Sequence, residues 1–209
     1  MPRQADAIRF HHHHVVIASQ GCRIIPVTEL PAVTPEYFEI LVVRELRKVG
    51  FDVGTVRIHR RSELPEPERG FVLELVVPLA RGGETWRALV ACRHQTGAVD
   101  REVVESVKAR LPQVPADAAV VFATADFAAD ALAAAREAGV AMLRVVDGRT
   151  AFDTSGWSTP GHYPAWLPAY LPQLVDRDIS GQPRARLLEA GRPDMILDCF
   201  QIEKERRHG

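Results

Sequence analysis

The sequence predicts an α/β protein built around one mixed sheet, and three observations carry that reading. From residue 34 onward the hydrophobic pattern runs helix, three strands, helix, strand, helix, strand. Residues 84–148 alternate strand and helix throughout, which implies parallel strands joined by helical crossovers. Arg81-Gly82-Gly83 joins two long apolar runs as a hairpin, which implies antiparallel pairing beside the parallel part.

Each element has a local cause. Thr34 caps the first helix, Pro35 takes its first position, and Glu36 and Glu39 suit its positive end. Phe38, Leu41, Val42, Leu46 and Val49 form its apolar face, and Gly50 stops it. Phe51–Arg60 reads as a strand with Val53, Val56 and Ile58 apolar. Ser62–Arg69 is a loop, since Pro65 and Pro67 forbid regular pairing. Gly70–Leu79 and Glu84–His94 are the two arms of the hairpin. Gly97 ends the second arm, and Asp100 caps a helix over Arg101–Leu111 with Val103, Val104, Val107 and Leu111 on one side. Pro112 and Pro115 end it. Asp117–Thr124 is a buried strand, Asp126 is placed to cap Phe127–Ala138, and Gly139 stands where a left-handed C-terminal residue belongs. Val140–Val146 is the last core strand, closed by a turn at Asp147-Gly148.

The flanks are less patterned, so the expected division is an N-terminal extension over 1–33, a folded domain over 34–150 and a C-terminal extension over 151–209. His11–His14 reads as a polar tract beside a short strand at Val15–Ala18, because an isolated histidine run has no preset coordination geometry. Arg23–Val27 is a second short strand. Pro160, Pro164, Pro168 and Pro172 exclude one continuous helix. Trp157, Tyr163, Trp166 and Tyr170 lie between them and either pack onto the domain or face a protein partner. Gln182–Ala190 reads as a short helix, Met195–Ile202 as a terminal strand or helical turn, and Glu203–Gly209 as a frayed charged end.

With 209 residues, 46% hydrophobic and 25% charged, the chain can bury one sizeable core. A net charge of −1 excludes a globally basic nucleic-acid binder, so DNA contact requires a local patch. Cys22, Cys92 and Cys199 have no zinc spacing and do not suggest a disulfide framework; Cys92 reads as a small core residue. No apolar run reaches the length of a membrane span and no secretory leader is visible, so the expected compartment is the cytoplasm.

Phe122-Ala-Thr124-Ala-Asp-Phe127, the Ala-rich helix with Gly139-Val140, and Asp147-Gly148 resemble the Mrr-type restriction endonucleases, a branch of the PD-(D/E)xK nucleases. Phe38-Glu39 and Gly50-Phe51 are similar to that family's opening helix. The resemblance implies a restriction endonuclease-like, three-layer α/β/α core, DNA as partner and magnesium as cofactor of an active enzyme. It places Val90-Ala91-Cys92-Arg93-His94 on the signature strand, with Ala91 where the family has Gln or Glu and Arg93 where it has Lys. Val72 stands near the position of the family's aspartate. By the same match Glu39 is a candidate near the metal, or else a solvated first-turn glutamate.

Phosphodiester hydrolysis needs an activated water and relief of charge on phosphorus oxygens, which magnesium on hard oxygen ligands supplies. Ala91 cannot coordinate, and Arg93 cannot take a proton, although its planar fork can hold a phosphate. Glu74 is the lone acid of its strand and shares a face with Val72 and Val76. It is a candidate catalytic residue and metal ligand, or it faces solvent, or it pairs with an arginine such as Arg93 across the hairpin. Arg57, His59, Arg60 and Arg61 cluster in sequence, and Arg57, His59 and Arg87 are expected to share a face beside Arg93 as a DNA-backbone cleft. The alternative is surface arginines balancing Glu63, Glu66 and Glu68. Three functions follow: a DNA-binding protein that has lost cleavage, a protein-interaction module using residues 157–172, or an active Mg-dependent endonuclease with a relocated site of Glu39, Glu74 and Arg93.

Overall fold

The computed structural model describes residues 33–65, 69–154, 159 and 161–200. The readings for His11–His14, Val15–Ala18, Arg23–Val27, Cys22, Trp157 and Glu203–Gly209 lie outside them.

Helix α1 spans Pro35–Lys48, and Thr34 caps it by accepting a hydrogen bond from the Tyr37 amide at 3.2 Å. Two strands follow where the sequence suggested one: β1 (Asp52–Val53) and β2 (Arg57–Glu63). Both lie on the same edge of β3 (Phe71–Arg81). The break has a cause in β3, where Pro78 has no N–H and only its carbonyl is engaged, by Gly54 at 3.1 Å. A hairpin leads to β4 (Glu84–His94), paired with β3 along its whole length. Then come α2 (Arg101–Arg110), β5 (Ala118–Ala123), α3 (Ala129–Ala138) and β6 (Val140–Asp147). Strands β4, β5 and β6 are parallel neighbours, as the helical crossovers require.

The stretch after residue 150 continues the sheet. Strands β7 (Tyr170–Arg177) and β8 (Pro183–Leu187) add antiparallel to β6, giving one mixed eight-stranded sheet. The helix expected over Gln182–Ala190 is therefore corrected to a strand. Five of its residues complete the β7 ladder, and a pairing edge outweighs the weak helical pattern of so short a segment. The short helices α4 (Gly148–Thr154) and α5 (Asp194–Leu197) complete the chain.

Two smaller readings are also corrected. Asp126 does not cap α3; Ala128 holds the cap position, while Asp126 forms an ion pair with Arg144. Asp147-Gly148 opens α4 rather than making a turn: Asp147 accepts from the Thr150 amide at 2.9 Å. Gly148 is required there because a Cβ would overlap the Pro168 carbonyl oxygen.

Strand alternation sorts the side chains into two cores. Leu73, Leu75, Val90, Cys92, Phe122 and Leu143 face α1 and α5, together with Phe38, Leu41 and Ile196. Val76, Leu89, Ala91, Val121 and Met142 face α2 and α3, where Val103, Val104, Val107 and Leu132 cover them. This is the expected three-layer α/β/α arrangement. Each buried valine of α2 contributes about 1.5 kcal/mol, so packing rather than helix propensity holds this ten-residue helix. Among the described residues no helix is long and apolar enough to cross a membrane.

Candidate functional site

In open α/β sheets, ligands bind outside the carboxyl ends of the parallel strands. Those ends lie at His94, Ala123 and Asp147. A buried polar network is built there from residues just past each strand. The Thr124 amide donates to the Arg93 carbonyl at 3.0 Å, and its hydroxyl accepts from the Gln95 amide at 3.3 Å. Gln95 is buried; its amide nitrogen donates to the Gly97 carbonyl at 2.9 Å, and its carbonyl oxygen accepts from Arg93 Nε at 2.7 Å. One strand further, Arg144 is buried, pairs with Asp126 and donates to Gln173 at 2.6 Å. The Asp126 carbonyl in turn accepts from Val99 at 2.7 Å, which fixes the loop entering α2. Thr124→Val keeps the shape but strands the buried Gln95 amide, at a cost of about 1–3 kcal/mol. Amide hydrogen exchange should then show Gln95 losing protection while the centre of β5 keeps it.

The predicted site residues divide between the two faces of the sheet. Glu39 lies on the α1 side. Its charge acts on Cys92, whose thiol is pushed well above its ordinary range first by burial and second by Glu39. Glu39 also faces Arg61 at 3.9 Å, and Arg61 forms a tighter pair with Glu36 at 2.7 Å. The register sets Arg61 opposite Leu73, on the same side. Glu74, Ala91 and Arg93 lie on the other side, toward α2 and α3. The structure therefore does not bring Glu39 together with Glu74 and Arg93.

Glu74 does not pair with Arg93. It stands opposite Ala91, one ladder step away, and its carboxylate accepts from Arg110 at 3.0 Å. Arg110 reaches down from the last turn of α2, while Arg93 turns toward Gln95. Glu74 is buried, and Arg110 is three-quarters buried, so the pair sits largely out of water.

The basic strand is also arranged differently from the expectation. A bulge at His59 shifts the register, so that Arg57 stands opposite Val76 and Arg60 opposite Glu74. Arg57 and Arg60, rather than Arg57 and His59, share the α2–α3 side with Glu74 and Arg93. Both are exposed, and neither has an ion-pair partner among the described residues. Arg87 is on that side too but six residues before Arg93, roughly 20 Å along the strand, where it pairs with Asp117. It does not join the cluster.

The donors present do not fit a magnesium centre. The Val72 and Ala91 side chains carry no oxygen, the Glu74 carboxylate is engaged by Arg110, and Glu39 lies across the sheet. Among the described residues no three His, Cys, Asp or Glu side chains gather as potential ligands. What the arrangement offers instead is a rank of guanidinium groups beside a neutralised acid, which suits phosphate.

Sequence reasoning missed Arg110, Gln95, Thr124 and Arg144. Arg110 left a signal, since it follows Val103 and Val107 at helical spacing and so points at the sheet, where Glu74 is the acid awaiting it. The others left none, because hydrogen bonds between loops depend on how the strands are ordered.

A mixed open sheet with helices on both faces defines an α/β protein of restriction endonuclease-like architecture. The family model for the restriction endonuclease catalytic domain of Mrr type matches residues 30–152, more than half the chain. This chain belongs to that family, the Mrr-type branch of the PD-(D/E)xK nucleases, and is accordingly a nuclease-like, DNA-acting protein. No curated protein and no solved structure matches it.

Proposed function

We propose that this protein binds the DNA backbone and has lost the family's cleavage chemistry. One observation carries the reading: Arg57, Arg60 and Arg93 share one side of the hairpin while Arg110 neutralises the one acid among them. The positions that resemble the catalytic signature, Val72, Ala91 and Arg93, support it, since two have no ligand atom in their side chains and the third cannot exchange a proton at neutral pH. For magnesium, typical of restriction endonuclease-like domains, no ligand set gathers on this side of the sheet among the described residues. Backbone contacts of this kind position a duplex without reading its sequence.

The experiment is fluorescence anisotropy with a labelled duplex across a salt series. Three phosphate contacts predict a log–log slope of about −2.7. Absence of binding at low salt, or binding indifferent to salt, contradicts the reading. A second reading, a protein-interaction module, is favoured by Trp166, which is 72% exposed in the segment leading into β7. Its neighbours are committed elsewhere: Tyr163 donates to Asp153 at 2.7 Å and Tyr170 packs edge-on against Tyr37. An exposed aromatic anchor would give docking that tolerates salt, so the same series separates the two.

A further inference from the structure

We propose that the cavity between the end of α3, the β7–β8 edge and α5 is a second ligand site, taking a small organic anion with a flat apolar body. The cavity measures about 340 Å³, within the range of small-molecule pockets. It opens at the amino end of β6, around Val140, on the β7 side of the sheet, whereas Arg57 and Arg60 stand on β2, four strands away, and Arg93 lies at the carboxyl end of β4. It is therefore separate from the proposed DNA face.

Its lining has two parts. Val140, Met142 and Met195 supply an apolar floor, and methionine adapts its shape to a planar guest. Arg136, Arg177, Arg186 and Arg192 supply the rim, against three aspartates. Those aspartates neutralise part of the rim and leave the rest without ion pairs among the described residues. Asp176 is shared between Arg186 at 2.8 Å and Arg184 at 2.9 Å, and Asp194 is held by Arg192 at 2.9 Å. Arg136 has no ion pair among the described residues. Arg177 uses its Nε on the Gly181 carbonyl, at 2.7 Å. Arg186 Nε is shut off from solvent with no acceptor among the described residues, so its pair with Asp176 does not use all of the guanidinium's donors. A guanidinium rim over an apolar floor is the arrangement that recognises a phosphate or carboxylate carried on a flat group.

The chain contains three methionines, and two of them line the cavity, so methyl-labelled methionine gives a direct reading by NMR. Phenyl phosphate is the probe, with phenol and inorganic phosphate as controls at matched ionic strength. The expected result is a saturable shift of the Met142 and Met195 methyl signals with phenyl phosphate, weaker responses to both controls, and no movement of Met1. Arg136→Ala, an exposed substitution that leaves the fold intact, should weaken the response about tenfold, and Arg186→Ala at least as much. Both variants should bind duplex DNA like the parent. Unmoved methyl signals, an equal response to phenol, or indifference to both substitutions would overturn the proposal. Because the cavity and the proposed DNA face share no residue, either idea can fail without the other.

Discussion

Arg110→Ala should cost about 3–5 kcal/mol of stability, as much as truncating a large core side chain on the same face. The reason is asymmetric. Glu74 is buried in the middle of the longest ladder in the sheet, with Leu73, Leu75 and Val76 around it. Removing its partner leaves a largely buried carboxylate without its hydrogen-bonded counter-ion, with only the exposed Arg60 opposite it on β2. The melting temperature should fall by about 10 °C for a chain of this size. Replacing both partners together, as Glu74→Leu with Arg110→Met, should recover most of the loss, because a buried pair often stabilises no more than apolar residues of similar volume. Urea unfolding of the single and double variants checks this. An Arg110→Ala protein as stable as the parent would mean that Glu74 is satisfied by something else, and would reopen its assignment as a ligand.

Arg57→Ala combined with Arg60→Ala should cut DNA affinity about tenfold or more at moderate salt and make the log–log salt slope about 1.8 units shallower. These residues are exposed and without ion pairs among the described residues, so unfolding should be nearly unchanged. Arg61→Ala and Arg87→Ala are the contrasts. Arg61 is occupied with Glu36 and Glu39 on the other side of the sheet, and Arg87 is held by Asp117 far from Arg93. Neither should change the slope appreciably. Equal losses from all four arginines would mean that general positive charge, and not this row, carries binding.

Most of the fold was legible because its signals are local. The Thr34 and Asp100 caps, the Gly82-Gly83 hairpin and the left-handed Gly139 are fixed by a few neighbouring residues, and each stands where the pattern placed it. The failures came where a distant strand decides the outcome. Gln182–Ala190 has a pattern too short to choose its state, and the β7 edge chose it. Asp126 has a capping sequence, but buried Arg144 on the neighbouring strand claims its carboxylate. The site failed in the same way. Sequence alternation paired His59 with Arg57, and one bulge moved the partnership to Arg60. Hairpin proximity suggested Arg93 for Glu74, and a helix that crosses over the sheet supplied Arg110. Residue types marked which groups carry chemistry; register and crossover decided which of them meet.

The most direct measurement is incubation of supercoiled plasmid, methylated and unmethylated, with the protein and Mg²⁺ or Mn²⁺, read on the same gels as retardation. The account predicts plasmid that is retarded and never nicked, with retardation reduced in Arg93→Ala. Metal-dependent nicking that disappears in both Glu74→Gln and Arg93→Ala would contradict it, and would make Glu74 a working ligand rather than the counter-ion of Arg110.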